Sequence, residues 1–339
     1  MAPRGSVLAP RRTSGRARGL LLSAAAAAVT AVLVIVAVGS SLPRAAAQVR
    51  RVGLSRSRGV RVQGDDGTSK GRIVGGRPVT ASDAVYGGGF ITKLFSESNG
   101  AVFYYCGGAL IDTGGLGRPA KVLTAAHCFD RNASTAIGDF VRIGGLALGE
   151  GFRRTITNVA IHPSFDSVTL DYDLAIVTIG DPPTPTEFLA GGVSAAFVNG
   201  FSRFPRSGRR LFVVGHGSTD GVDQNVSSGL RLARVTVNSW SQCNAWWVKL
   251  GEPQNQGSPA SEPLQVCGGL GIPESTCNGD SGGPLFERFT VAGRDAFRIF
   301  GVVSYGFEDP LNPGDLCPTI NPDYYSKTSA GRAFIRANA

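Results

Sequence analysis

Ten short runs of apolar or alternating residues lie between residues 89 and 304, and clusters of Gly, Pro, Asn or Asp separate nearly all of them. Such runs are typical of β-strands with one buried face. Helical spacing occurs only at 239–250 and 329–338. The pattern predicts an all-β barrel or sandwich rather than alternating strands and helices. The predicted strands are 89–94, 102–105, 121–124, 140–143, 153–161, 174–179, 210–214, 230–237, 283–286 and 297–304.

The first 72 residues have a different character. Basic residues precede the 19-residue apolar run 20–38, and small residues then lead to Ala47. This order predicts an export signal over residues 1–47. As a helix the run would be about 28 Å long, so a membrane signal anchor is the alternative. Residues 48–72 are basic and nearly free of apolar periodicity, which predicts a pro-segment or linker. We expect residues 73–339 to form the folded domain.

The net charge of +9 is unevenly distributed along the chain. Residues 1–72 hold 13 Lys and Arg against 2 acids, a net charge of +11. Residues 73–339 therefore hold 34 − 13 = 21 bases and 25 − 2 = 23 acids, a net charge of −2. A nearly neutral body argues against nucleic-acid binding through a basic surface as the main function.

All six cysteines follow residue 100, in a chain predicted to be exported, so we expect three disulfides. The residues alone leave their pairing open. A structural metal site would need close pairs such as Cys-x-x-Cys, and the sequence has none. Asn132 and Asn225 begin Asn-x-Ser sequons, which are glycosylation acceptors in a eukaryotic host. The cysteines are Cys106, Cys128, Cys243, Cys267, Cys277 and Cys317.

Three segments carry residues suited to nucleophilic catalysis: Leu-Thr-Ala-Ala-His127-Cys, Asp-Tyr-Asp173-Leu-Ala-Ile-Val and Cys-Asn-Gly-Asp-Ser281-Gly-Gly-Pro. A serine hydroxyl needs a neighbouring base, and the base needs a carboxylate to fix its tautomer. The segments, in the order His, Asp, Ser, closely resemble the signatures of the chymotrypsin-like (trypsin-fold) serine proteases. The resemblance covers residues 73 to about 338. It implies two packed six-stranded antiparallel β-barrels, a short C-terminal helix and an active site in the cleft between the barrels.

The same resemblance implies a role for particular residues. His127, Asp173 and Ser281 would form the catalytic triad, and the backbone N–H groups of Gly279 and Ser281 the oxyanion hole. It also implies the disulfides Cys106–Cys128, Cys243–Cys267 and Cys277–Cys317.

The segment Arg72-Ile73-Val-Gly-Gly resembles the activation junction of the family. Cleavage after Arg72 would create a new ammonium at Ile73, which would pair with Asp280 and order the oxyanion loop. The resemblance therefore implies a zymogen and an activating protease with trypsin-like specificity.

The residues expected to contact substrate leave the specificity open. Ser275 stands where trypsin-type relatives have an acidic pocket floor, which favours aromatic or large apolar side chains. Asp323 stands in the expected pocket wall, where a carboxylate could bind Lys or Arg, or could narrow the pocket while neighbouring hydroxyls satisfy it. Ser304, Tyr305 and Gly306 match the strand that pairs with the substrate backbone.

We expect no cofactor and no metal, since the loop that binds calcium in some relatives offers only Glu150 here. The expected partners are protein or peptide substrates, the activating protease and protease inhibitors, with no nucleic acid and a monomeric enzyme. The rival interpretation is a non-catalytic binding protein on the same fold. We expect secretion, or anchoring by residues 20–38 before activation.

Overall fold

The computed structural model describes residues 51–53, 60–61, 73–83, 89–115, 118–129, 133–180, 187, 192–218, 225–249, 262–307, 312 and 314–339. The strands are β1 (Arg51–Gly53), β2 (Val60–Arg61), β3 (Arg77–Pro78), β4 (Ile91–Ser98), β5 (Ala101–Asp112), β6 (Ala120–Thr124), β7 (Phe140–Ile143), β8 (Phe152–Ile161), β9 (Ala175–Ile179), β10 (Phe197–Val198), β11 (Arg210–Gly215), β12 (Arg231–Thr236), β13 (Gln265–Gly268), β14 (Pro284–Val291), β15 (Arg294–Phe307) and β16 (Asp323–Lys327). The helices are α1 (Trp240–Lys249) and α2 (Arg332–Asn338).

The first sheet forms a closed barrel. Its strand order is β2-β5-β4-β7-β8-β9-β6, and β5 also pairs with β6, so the six strands from β4 to β9 form a ring. Strand β2 is added to the outside of this ring on β5. Leu94, Val122, Val141 and Ile156 point into the barrel and are fully buried. The alternation of the sequence thus fixes which face of each strand enters the core.

The second sheet curls into another barrel. Its order is β13-β16-β15-β14-β11-β12-β3, and an isolated bridge between Val237 and Gly268 brings the β12 and β13 ends together. The six strands β11 to β16 make up this barrel, while β1 and β10 pair with β15 outside it. The all-β prediction of two barrels with a short C-terminal helix is confirmed.

All ten predicted strands are present, and so are both predicted helices. Strand β7 has the predicted ends, and the largest shift is at β5, which ends at Asp112 rather than at residue 105. The pattern did not predict β13 or β16, because Gln265 of β13 and residues 323–326 of β16 are buried although their side chains carry polar groups. It also did not predict β1 and β2 within the pro-segment.

Among the described residues, no helix is both long enough and apolar enough to cross a membrane. The predicted signal region 1–47, with its apolar run 20–38, lies outside the described residues.

Candidate active site

His127 and Asp173 lie at the same end of two neighbouring strands. His127 lies in a short 3₁₀ turn, Ala126–Phe129, that follows β6, and Asp173 lies just before β9. Strands β6 and β9 are antiparallel, with Thr124 opposite Ala175. The end of one strand therefore meets the start of the other, and two residues 46 positions apart in sequence come into contact.

Two hydrogen bonds fix the imidazole of His127 on Asp173. The His127 backbone N–H donates to Oδ1 at 2.8 Å, and Nδ1 lies 2.7 Å from Oδ2. Asp173 has no exposed surface. A buried carboxylate beside Nδ1 holds the proton on that nitrogen and leaves Nε2 to act as the base.

The side chain of Ser304 contacts the catalytic carboxylate. The sequence placed Ser304 on the strand expected to pair with the substrate backbone and assigned no role to its side chain; its hydroxyl is buried and donates to Asp173 Oδ2 at 2.6 Å. This side-chain contact joins β15 of the second barrel to the carboxylate of the first. Nothing in the sequence near Ser304 indicates it, because the two residues are 131 positions apart.

The loop that carries Ser281 is held against the first barrel. The Ser281 carbonyl accepts a hydrogen bond from Gly107 N at 2.7 Å, and Gly282 N donates to Val303 O at 2.9 Å. Gly282 has a φ of +80°, and a Cβ there would collide with Thr124 Oγ1. Because Thr124 lies three residues before His127, a glycine after the serine lets this loop approach the histidine turn.

The cysteines are joined in the three pairs that the resemblance implies. Cys106–Cys128 anchors the turn beside His127 to β5, and Cys243–Cys267 joins α1 to β13. Cys277–Cys317 connects the Ser281 loop to the segment before β16. Each bond closes a loop and stabilises the fold by about 2 to 4 kcal/mol.

Gly279 adopts a conformation that favours glycine. Its φ is +95°, and a Cβ would lie 2.9 Å from Val226 Cγ1. Its carbonyl accepts a hydrogen bond from the buried Tyr104 hydroxyl at 2.6 Å. On the other side, Ser218 N donates to Asn278 O at 2.7 Å. Since the C=O and N–H of one peptide point in opposite directions, the Gly279 N–H points away from Ser218.

Asp280 is a buried carboxylate whose hydrogen-bond donors, within the described part of the chain, are backbone N–H groups. Gly217 N donates to Oδ1 at 2.8 Å and Cys277 N to Oδ2 at 3.0 Å. Burial raises the pKa of Asp280 to about 7, although both N–H groups favour its charged form. The proposed new terminus lies nearby in the fold, since Ile73 is buried and Val74 forms a β-bridge with Ser275.

A pocket between the Ser281 loop and β16 contains both predicted specificity residues. Its lining includes Ser275, Gly306 and Asp323. The Ser275 hydroxyl donates to Asp323 Oδ1 at 3.0 Å, Thr276 N donates to Oδ2 at 2.8 Å, and the Tyr325 hydroxyl donates to Oδ2 at 3.3 Å. Burial raises the pKa of Asp323 to about 6, and these bonds oppose the rise. The wall carboxylate therefore already accepts three hydrogen bonds from neighbouring donors.

The Tyr305 side chain packs away from this pocket. It is fully buried, stacks on Tyr324 at 4.9 Å and donates to Gln265 Oε1 at 3.0 Å. The side chain of Tyr305 is therefore occupied within the core, and pairing of its backbone with a substrate stays a prediction.

Arg72 and Asn132 lie outside the described residues, and Asn225 is exposed. Among the described residues, the one cluster of metal-ligand side chains joins His127 to Cys106 and Cys128. Those two sulfur atoms form a disulfide, so neither is available as a thiolate ligand.

Sequence reasoning missed Lys93, a buried ammonium in the first barrel. Its Nζ donates to the carbonyl oxygens of Gly144, Ala147 and Glu150, each at 2.8 Å. Burial lowers the pKa of Lys93 to about 7, while the nearby Glu150 carboxylate raises it. Glu150 itself accepts hydrogen bonds from Leu146 N and Ala147 N. The loop that contains Glu150 therefore encloses the Lys93 ammonium among its carbonyl oxygens.

Similarity to known proteins identifies the family of this chain. The family model described as Trypsin matches residues 73–326. Trypsin-3 of Salmo salar is 27% identical over 265 residues, which cover 76% of this chain and 94% of the salmon protein. Serine protease Hayan of Drosophila melanogaster is 28% identical over 245 residues, covering 70% of this chain but only 35% of that protein. Transmembrane protease serine 11E of Mus musculus is 29% identical over 276 residues, covering 79% of this chain and 54% of the mouse protein. The chain therefore belongs to the trypsin family of chymotrypsin-like serine proteases.

Proposed function

We propose that the protein is a secreted serine endopeptidase, made as a zymogen and activated by cleavage after Arg72. The observation that carries the proposal is the buried Asp173 carboxylate with two hydrogen bonds to His127, beside the loop that presents Ser281. Membership of the family supports the same reaction class.

The reaction follows from these positions. Nε2 of His127 takes the proton from the Ser281 hydroxyl as its oxygen attacks the peptide carbonyl. The resulting imidazolium is stabilised by Asp173 and then gives its proton to the leaving amine, which yields an acyl-enzyme. Water, activated by the same imidazole, attacks the ester and releases the acid product and free Ser281. The Ser304 hydroxyl on Oδ2 keeps Asp173 oriented through both steps.

The developing oxyanion would be bound by the N–H groups of Gly279 and Ser281. Tyr104 and Ser218 hold the peptides on either side of Gly279, so the donor is positioned before the reaction. Loss of one such donor typically costs about 2.7 to 4 kcal/mol in transition-state stabilisation.

Activation would give the buried Asp280 carboxylate a cationic partner. In the uncut chain the buried carboxylate has two backbone donors and no cation at Ile73, whose nitrogen is a peptide amide. Cleavage after Arg72 supplies an ammonium at a residue that is already buried in the same barrel. The ion pair would favour one conformation of the Gly279 to Ser281 loop.

We expect the pocket to prefer Phe, Tyr or large apolar side chains. Ser275 gives an uncharged floor, and Asp323 already accepts three hydrogen bonds. A substrate Lys or Arg would have to displace these donors to reach the carboxylate, which offsets the gain from the new ion pair.

The first 72 residues support a proposal for how the protein is exported and activated. Residues 1–47 would direct export, or the run 20–38 would anchor the zymogen until cleavage, and a trypsin-like protease would cut after Arg72. The mature enzyme would act as a monomer on protein or peptide substrates and would be open to protease inhibitors. In a eukaryotic host it would carry glycans at Asn132 and Asn225.

The test is a comparison of the form beginning at Ile73 with its Ser281→Ala variant on a peptide amide. We expect kcat to fall by several orders of magnitude with the unfolding transition unchanged. A fluorophosphonate should label Ser281 in the parent only. Equal activity in both proteins would contradict the assignment, and a folded parent that neither labels nor cleaves would support the non-catalytic binding protein.

A further inference from the structure

The pro-segment pairs with both barrels. Strand β1 is antiparallel to the end of β15, with Arg51 opposite Phe307, Val52 opposite Gly306 and Gly53 opposite Tyr305. Strand β2 is antiparallel to β5, with Val60 opposite Tyr104 and Arg61 opposite Phe103. The two ladders are six residues apart in sequence, and they lie on different sheets.

Both paired strands border the catalytic residues. On β15, Tyr305 directly follows Ser304, whose hydroxyl binds Asp173. On β5, the Tyr104 hydroxyl binds the Gly279 carbonyl, and Cys106 two residues later is bonded to Cys128 next to His127. The two described pieces of the pro-segment are therefore each paired with a strand that borders catalytic residues, one in each barrel.

We propose that two pieces of the pro-segment, residues 51–53 and 60–61, are an intramolecular ligand of the substrate cleft, which holds them as added β-strands on β15 and β5. The inference rests on the proposed function for its consequence, since the occupied strand is the one that would pair with a substrate backbone. Main-chain hydrogen bonds provide such binding, and they are independent of the ligand's side chains. The uncut chain is thus inactive for two reasons: it has no ammonium at Ile73, and the pro-segment occupies its substrate cleft.

Chain connectivity explains why the ligand would leave after activation. Eleven residues separate Arg61 from Ile73, and a short tether of this kind gives an effective concentration on the order of millimolar. Cleavage after Arg72 turns the contact into one between separate molecules. A segment with micromolar affinity would then dissociate at nanomolar protein, although it would still inhibit when added in excess.

Charge favours the same contact. Residues 48–72 hold 7 Lys and Arg against 2 acids, a net charge of +5, whereas residues 73–339 carry −2. The attraction is weak over most of the surface because salt screens it.

Hydrogen exchange tests the occupancy without any catalytic readout. The full chain with Ser281→Ala is compared with the same chain carrying Arg51→Pro, Val52→Pro and Gly53→Pro, which removes every N–H that β1 can donate. The control carries Gly67→Pro, Thr68→Pro and Ser69→Pro, between the ladder and the activation junction. We expect fragments covering 305–307 to exchange about tenfold faster in the first variant, and the control to match the parent. Equal exchange in all three proteins would overturn the proposal.

A peptide of residues 48–72 tests the inhibitory consequence on the form beginning at Ile73. We expect competitive inhibition of peptide-amide hydrolysis, weakened at least about tenfold by the same three prolines. Equal inhibition by both peptides would mean that charge alone holds them and would overturn the strand pairing. If the Ile73 form has no activity, the proposed function fails, while hydrogen exchange still decides whether the cleft is occupied.

Discussion

The two barrels bury charge in opposite ways. In the first, the Lys93 ammonium donates to three carbonyl oxygens, so each of its N–H groups has an acceptor. In the second, Asp280 accepts two backbone N–H bonds, and burial raises its pKa, with a smaller rise from the charge of the buried Asp323. Backbone carbonyls satisfy every donor of Lys93, and we expect this charge to serve the structure. Asp280 has no counterion among the described residues of the uncut chain, and we expect its charge to serve regulation.

The strongest test of this comparison removes the charge of Asp280. In the form beginning at Ile73, Asp280→Asn should lower kcat/KM by about 1000-fold, because breaking a buried ion pair costs about 3 to 5 kcal/mol. The surface substitution Asp295→Asn, which breaks the exposed pair with Arg288, is the control. Activity of Asp280→Asn close to that of the control would mean that the carboxylate does not serve activation.

The same substitution should have the opposite effect on the uncut chain. The folded pKa of Asp280 is raised to about 7 from 3.8, so its stabilising contribution is present below pH 4 and is lost as the pH rises toward 7. Relative to Asp280→Asn, the uncut parent should lose up to about 4 kcal/mol of unfolding free energy between pH 4 and 7. Parallel denaturant curves across this range would show that Asp280 is already neutralised before cleavage.

Lys93 should matter for stability alone. Lys93→Met leaves three loop carbonyls without their donor and should lower the unfolding free energy by about 3 kcal/mol. Its kcat/KM should change by less than about threefold, since the loop contacts none of the triad. Lys121→Met, which loses one half-buried bond to Thr178, is the matched control for removing a lysine. A large activity loss with normal stability in Lys93→Met would overturn the division between the barrels.

The smallest effects concern Asp323. The test compares kcat/KM for matched substrates with Phe, Lys or Ala at the cleaved position. We expect the highest kcat/KM for Phe in the parent. Asp323→Gly should raise the ratio of kcat/KM for Phe to that for Ala about tenfold, because it enlarges the pocket. Asp323→Asn keeps the shape without the charge and should leave the order unchanged. If kcat/KM is highest for the Lys substrate in the parent and falls sharply in both variants, the carboxylate is the specificity determinant and the uncharged-pocket expectation is wrong.

Local patterns in the sequence predicted much of the framework. Apolar alternation identified ten strands, because strands with one buried face repeat every two residues. It missed β16, where Asp323, Tyr324 and Tyr325 are buried by pairing with β13 and β15 rather than by their hydrophobicity. Lys93 escaped notice because it lies inside the apolar Ile-Thr-Lys-Leu-Phe run, where its acceptors come from a loop more than fifty residues away.

The sequence by itself determined the all-β class and the three segments that hold His127, Asp173 and Ser281, since each depends on residues close together in the chain. It also determined the nearly neutral net charge of residues 73–339, which depends on composition alone. Only the tertiary structure decided that Ser304 binds Asp173, that Ser275 and Thr276 donate hydrogen bonds to Asp323, and that the pro-segment pairs with both barrels. These contacts join residues far apart along the chain. Their geometry is set by how the barrels close, and no local pattern of side chains encodes it.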